Sequence, residues 1–446
     1  MDERRQRWFW NVVIPALLLL AALLPRLVVL GPLVNPDELG WLGRSVRFYD
    51  ALSRGDWAST LQAFHPGVVP MWGFGAMMCA RYGLGQLQTW LALEALPMAD
   101  LAHAALFFPI AISVLTVLAV YGLVRRLAGR EAALYAALLL AVDPYYLAFT
   151  YLIHMDLTHG SLMMVAALLW INYLYRPRRW PYLLGGGIVG GLALLTRSAS
   201  VYLVPFSLLA VGVFFLAENL IGGKPYLKPG WGRWIRRTFI AWLVGLGVLI
   251  LTVFALWPAL WVNLGEVVGR LGEGVLRSVE NAHPAPVYLQ GEIITEDPGT
   301  GYYWLVLLFR LRPLTLVLVI LSPVLLLLAW RRLSRQKRAA WGLGLAYPAF
   351  YFLQMSLAIH KLERYMLPVG IALTVLSGIS LAVIARWLTE WIARRRPSSL
   401  IRVFRIVIII DFKSANDGQV LLQKQGQEHR INLTGQLADF FRPGFQ

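Results

Sequence analysis

Residues 10–38 read WNVVIPALLLLAALLPRLVVLGPLVNPDE. About twenty apolar residues in a row match the roughly 30 Å hydrocarbon core of a bilayer, crossed by a helix at about 1.5 Å per residue. Arg4, Arg5 and Arg7 precede the run and set the N-terminus on the cytoplasmic side. The start mimics a signal peptide. The apolar stretch is long, however, and lacks a small-residue cleavage site, which indicates an uncleaved first span. Pro15 and Pro25 kink it. Asp37 and Glu38 then emerge at its outer mouth, with Arg26 placed either to snorkel or to pair with one of them. A charged group at the hydrocarbon edge must snorkel, pair or face water, so this acidic pair marks a functional site.

Residues 39–56 (LGWLGRSVRFYDALSRGD) place apolar side chains at Leu39, Leu42, Val46, Tyr49 and Leu52, with Arg44, Arg47 and Arg54 between them. That spacing predicts an amphipathic helix along the membrane surface. The composition extends the membrane reading to the whole chain. Of 446 residues 58% are hydrophobic and 15% charged, against about 25% charged in soluble domains. Repeated spans in lipid must be helical, because their backbone polar groups have no water to bond. The net charge of +17 does not indicate nucleic acid, since Arg and Lys gather in the short loops between apolar runs, as topology requires. One cysteine, Cys79, excludes an internal disulfide.

The expected fold is an all-α polytopic membrane protein of about ten transmembrane helices with both termini cytoplasmic. The spans run near 10–30, 101–124, 132–147, 157–175, a fifth that carries Gly185, Gly186, Gly187, Gly190 and Gly191 and ends at Thr196-Arg197, then 201–220, 239–260, 313–330, 341–358 and 366–384. Residues 31–100 and 261–303 form long outer loops, the first carrying amphipathic helices. Loops of such length are functional or locally structured. Pairs Gly186/Gly190 and Gly187/Gly191 suit close helix packing in lipid. The transmembrane domain covers 1–397. A small cytoplasmic tail, 398–446, has a β-branched run at 405–412, a turn-like 413–418 and a polar 419–433, read as a hairpin.

Asp37 and Glu38 are the leading catalytic candidates. A carboxylate there can take a proton from a hydroxyl. Neighbours on a helix diverge by about 100°, so one of the two faces the reaction, and Asp37 is chosen. The bland reading is that both merely favour a helix N-terminus. Cavity candidates are His65 in a Pro-rich loop, Asp143, His154, Asp156 and Tyr365. Asp143 also fits a helix cap, and His154, Asp156 and His159 form only a weak metal pattern. Arg197, Lys361 and Arg364 are cations on the outer side, where topology least expects them. With Arg44 they suit a phosphate. Glu363 is placed to pair with one of the basic residues of 360–368 (HKLERYMLP). The loop 261–303 can cover a cavity as a lid.

Taken together these pieces resemble the C-type membrane glycosyltransferases that use polyprenyl-phosphate sugars, above all the branch of the protein O-mannosyltransferases and the lipid A aminoarabinose transferase. The resemblance is carried by Pro36-Asp37-Glu38, Gly55-Asp56, His65-Pro66, Asp143-Pro144 through Asp156, and GLALLTR at 191–197. Trp257-Pro258 with Trp261, Asp297-Pro298-Gly299 with Tyr302-Tyr303, and KLERYMLP at 361–368 complete it. It implies Asp37 as catalytic base and Arg197, Lys361 and Arg364 as holders of the lipid phosphate. The aminoarabinose branch has a lysine before the prolines of the first loop, where this chain has His65-Pro66-Gly67. No separate acceptor-binding domain is expected.

The implied reaction moves a sugar from a polyprenyl-phosphate donor to an acceptor hydroxyl of a glycan, lipid or protein, at the outer face of a prokaryotic cell membrane and with inversion. A divalent cation at Asp37, Asp156 or His65 is compatible but not required. Partners are the lipid-linked sugar, its acceptor and membrane lipid, with no nucleic acid. The alternative is a polyprenyl-linked lipid or glycan flippase. Its usual repeat symmetry is missing from the sequence.

Overall fold

The computed structural model describes residues 3–28, 35–63, 66–175, 180–219, 231–280, 287–289, 291–395, 422–424 and 427–429. The first helix, α1 (Glu3–Val28), contains a π turn at Phe9–Val13 between its α-helical segments Glu3–Trp8 and Ile14–Val28. The first outer region folds into α2 (Pro36–Arg54), α3 (Val68–Tyr82) and α4 (Leu84–Ala92). There follow α5 (Met98–Ala128), α6 (Arg130–Ala141), α7 (Pro144–Thr150) and α8 (Met155–Tyr175). Next come α9 (Trp180–Thr196), α10 (Leu203–Asn219) and α11 (Trp231–Leu256). The second outer region holds α12 (Leu264–Glu280) and an antiparallel pair, β1 (Val287–Leu289) with β2 (Glu292–Ile294). It leads into α13 (Tyr302–Arg310), α14 (Pro313–Ala329), α15 (Arg335–Ser356) and α16 (Leu367–Arg395).

By internal contact the chain divides into Met1–Val383 and Ile384–Gln446. The second unit contains a short hairpin of β3 (Leu422–Lys424) and β4 (Gln427–His429). The run 405–412, expected as a strand, lies outside the described residues.

Among the described residues seven helical stretches are long and apolar enough to cross a membrane, or eight if α6 and α7 make one bent span. The expectation of about ten spans departs from this at three places. Helices α6 and α7 meet at 54°, because Pro144 cannot continue a helix and Asp143 caps a new one. Helix α9 has 17 residues, about 25 Å of rise. Helix α15 mixes Tyr347, Pro348, Tyr351 and Gln354 into its apolar sequence.

Two cores position the site. In the larger one, Ile14, Leu18 and Ala22 of α1 pack with Val114, Val117 and Tyr121 of α5. Arg26 continues the same stripe and is fully buried. The sequence suggests snorkelling or a pair with Asp37 or Glu38. Instead Arg26 donates to Ser113 Oγ at 2.7 Å, Ala22 O at 2.7 Å and Ala141 O at 2.8 Å. The physical reason is the break after α6. Its last carbonyls lose helical partners, and a cation at a helix C-terminus satisfies both the hydrogen bond and the dipole.

The smaller core joins Trp41, Leu42, Val46 and Phe48 of α2 to Val68, Met71, Phe74 and Met78 of α3, with Leu101, Ile153 and Trp257 beneath. Helix α2 forms where expected, but Leu42 and Val46 of its apolar side are buried in protein, while Leu39 stays exposed. Gly67 enters α3 at φ +55°, and a Cβ there would stand 2.3 Å from the Trp41 ring. Only glycine fits both demands.

Candidate active site

The start of α2 is dictated locally. Asn35 caps it, accepting from Asp37 N at 3.0 Å, and Pro36 occupies the first turn. Asp37 and Glu38 then point apart, Asp37 exposed and Glu38 buried. Asp156 occupies the corresponding first turn of α8 and is 1% exposed.

Four distant segments converge here. Arg364 Nη1 lies 2.8 Å from Asp37 Oδ2, and Arg364 Nε lies 3.6 Å from Asp156 Oδ2. Arg197 Nη1 meets Asp156 Oδ1 at 2.6 Å. His154 stands between the two acids, with Nδ1 2.8 Å from Asp156 Oδ2 and Nε2 3.6 Å from Asp37 Oδ2. The Arg197 guanidinium lies 3.8 Å from the centre of the Tyr365 ring. Of the sequence candidates, Asp37, His154, Asp156, Arg197, Arg364 and Tyr365 are therefore one cluster. A carboxylate as buried as Asp156 needs such compensation, since burying an unpaired charge costs several kcal/mol.

Lys361 is adjacent in sequence but differently engaged. It is 2% exposed, and its Nζ meets Asp297 Oδ1 at 2.6 Å. Asp297 also accepts from Gly299 N at 3.0 Å, so the Asp-Pro-Gly turn of the second outer loop is fastened to the 360s segment. Glu363 was expected to pair within its own basic run. It pairs with Arg310 of α13, while its backbone carbonyl accepts from Tyr145 OH at 2.7 Å. The cause is direction: Glu363 faces away from Arg364, which turns toward Asp37. Tyr302, beside Glu363, has its phenol pushed up to about 12 by burial and by that carboxylate. Sequence reasoning missed Asp297, Arg310 and Tyr145 as supports. The turn signal at 297–299 was the only pointer to the first.

Asp143 stands apart from the cluster. Its carboxylate accepts from Tyr146 N at 2.9 Å and Thr374 Oγ1 at 3.2 Å, capping α7. Arg44 is half-buried on α2, its guanidinium 5.0 Å from the Trp41 ring centre, and Trp41 in turn meets the His154 ring edge-on at 6.0 Å. Burial and the neighbouring Arg47 lower its pKa. His65 lies outside the described residues. Among the described residues no three His, Cys, Asp or Glu side chains are arranged to hold a metal. Any cation between Asp37 and Asp156 would compete with the Arg364 guanidinium that bridges them.

The sequence model of a family described as dolichyl-phosphate-mannose-protein mannosyltransferase matches residues 90–257. No curated protein matches the chain. Among solved structures, ArnT from Cupriavidus metallidurans bound to undecaprenyl phosphate is similar with a TM-score of 0.55 at 19% identity, over 84% of this chain and 60% of that one. The oligosaccharyltransferase AglB from Archaeoglobus fulgidus, in complex with an inhibitory peptide and a dolichol-phosphate, gives 0.50 at 15% identity, over 91% and 55%. This chain thus spans roughly three fifths of the length of ArnT, and what the two share at this identity is the fold.

Proposed function

We propose that this chain, which has the fold of the C-type membrane glycosyltransferases and whose residues 90–257 match their protein mannosyltransferase family, transfers a sugar from a polyprenyl phosphate to an acceptor hydroxyl. The observation that carries the reading is a solvent-facing carboxylate, Asp37, paired with Arg364, which a buried second carboxylate, Asp156, shares along with Arg197. The acceptor oxygen attacks the anomeric carbon while Asp37 takes its proton. The bond from that carbon to the phosphate oxygen breaks, and the electron pair leaves with the polyprenyl phosphate. Arg364, Arg197 and Lys361 meet the charge that develops. One displacement inverts the anomeric centre. A phosphate leaves without a general acid, so the second carboxylate of glycoside hydrolases has no counterpart role; Asp156 instead sets the two arginines.

The ten-span topology belongs to this reading, with α9, α15 and the bent α6–α7 pair completing it. It places both termini in the cytoplasm of a prokaryotic cell and the cluster on the outer face of the plasma membrane. The bound undecaprenyl phosphate of ArnT and dolichol-phosphate of AglB support a polyprenyl phosphate as donor carrier.

The test incubates the purified protein with a panel of polyprenyl-phosphate sugars and membrane extract, beside Asp37→Asn. The variant loses about 10²–10⁴-fold in turnover, the range of a general base, and still binds polyprenyl phosphate. Failure of the wild-type protein to bind any polyprenyl phosphate would overturn the assignment.

A further inference from the structure

Helix α2 is buried along most of its surface. Asp37, Gly40, Arg44 and Arg47 are accessible and line up at helical spacing on one side of it, apart from the exposed Leu39 and the exposed C-terminal Ser53 and Arg54. Over Gly40 there is open space, for a Cβ built there meets no atom within 4 Å. Beyond it stand two guanidiniums. Arg44 rests on Trp41, and Arg47 donates to Gln62 Oε1 at 3.3 Å. Among the described residues neither is in ion-pair contact with a carboxylate, although Asp37 attracts Arg44 from further along the stripe, whereas Arg197, Arg364, Lys361 and Arg310 each make such a contact. Like charges this close raise the energy of the stripe until an anion lies across them. At about 1.5 Å per residue the arginines lie roughly 10 and 15 Å along the axis from Asp37, two or three sugar rings away.

On the glycosyltransfer reading above, we infer that this stripe is the acceptor track and that the acceptor is anionic. Its hydroxyl meets Asp37, its body crosses Gly40, and a phosphate or carboxylate one or two units further on is held by Arg44 and Arg47. The donor phosphate is left to the cations beyond Asp37. Arg44, grouped with the donor cations on sequence grounds, belongs to the acceptor.

The experiment uses the full chain in phosphatidylcholine nanodiscs, polyprenyl-phosphate sugar labelled in the sugar, and membrane extract as the acceptor pool. Labelled product is passed over an anion exchanger. Three variants are compared with the wild type: R44Q/R47Q, Gly40→Trp, and Arg54→Gln as a control at the far end of α2, where Arg54 pairs with Asp50. The expected result is a retained, anionic product. R44Q/R47Q raises the acceptor concentration for half-maximal transfer at least tenfold, Gly40→Trp stops transfer, and both bind polyprenyl phosphate as the wild type does. R54Q transfers normally. A product that flows through uncharged overturns the proposal. So does a loss of polyprenyl phosphate binding in R44Q/R47Q, which would return the pair to the donor. Unchanged transfer by R44Q/R47Q in this neutral lipid also overturns it and leaves the arginines to anionic headgroups. Absence of any transfer by the wild type sinks the glycosyltransfer reading itself.

Discussion

Lys361 and Asp297 form one ion pair with two very different surroundings. The lysine side chain is 1% exposed and the carboxylate 37%. Removing either partner breaks the same 2.6 Å contact, but what is left behind differs. Asp297→Asn leaves an ammonium buried without its anion, and we expect a loss of about 3 kcal/mol. Lys361→Met leaves a carboxylate that water can reach, and we expect less than about 1 kcal/mol. Thermal unfolding of both variants in the same detergent checks the order. Equal destabilisation would mean that Asp297 is effectively buried too. Single residues were the hardest part of the site to read from sequence. Asp37, Asp156 and Arg197 carry their own signals, as charged groups beside apolar runs. Asp297 and Arg310 matter only through partners 64 and 53 residues away, and no local pattern encodes such a distance.

Elements were more legible, because helix spacing and helix-ending chemistry are local. The glycines of α9 were read as a packing face, and a Cβ at Gly191 would lie 2.7 Å from Leu249 O of α11. Gly191→Leu should therefore force the helices apart and cost at least about 1–3 kcal/mol. Gly185→Ala meets only Leu169 methyls at 3.6 and 3.7 Å and should be neutral or stabilising, since glycine is a poor helix former. Yield of monodisperse protein and melting temperature distinguish the two. The break between α6 and α7 was hidden within a run of span-like hydropathy, although Asp143-Pro144 was visible. Nothing in the run shows that Arg26, 115 residues earlier, supplies the bond to Ala141 O. Arg26→Met removes that donor and the one to Ser113. With both acceptors buried we expect a loss of about 1–3 kcal/mol for each group left unpaired, seen as a lower melting temperature and faster amide exchange at the start of α7.

At the scale of the whole molecule, the bilayer solvent settles the class at once. A chain this apolar can only span as helices. What composition cannot give is which loops meet, and the active cluster depends on just that. Its charges come from residue 37, residues 154–156, residue 197 and residue 364. During synthesis, a chain halted after residue 358 has made Asp37, Asp156 and Arg197 but not Arg364. One carboxylate of the cluster then lacks its guanidinium until nearly the last span is delivered. Such an arrested chain should fail to bind polyprenyl phosphate, and supplying residues 359–446 as a separate co-expressed fragment should restore binding. On the proposed glycosyltransfer reading, competence thus arrives late in translation, so that an unfinished chain does not engage a lipid-linked sugar while the membrane is still receiving it.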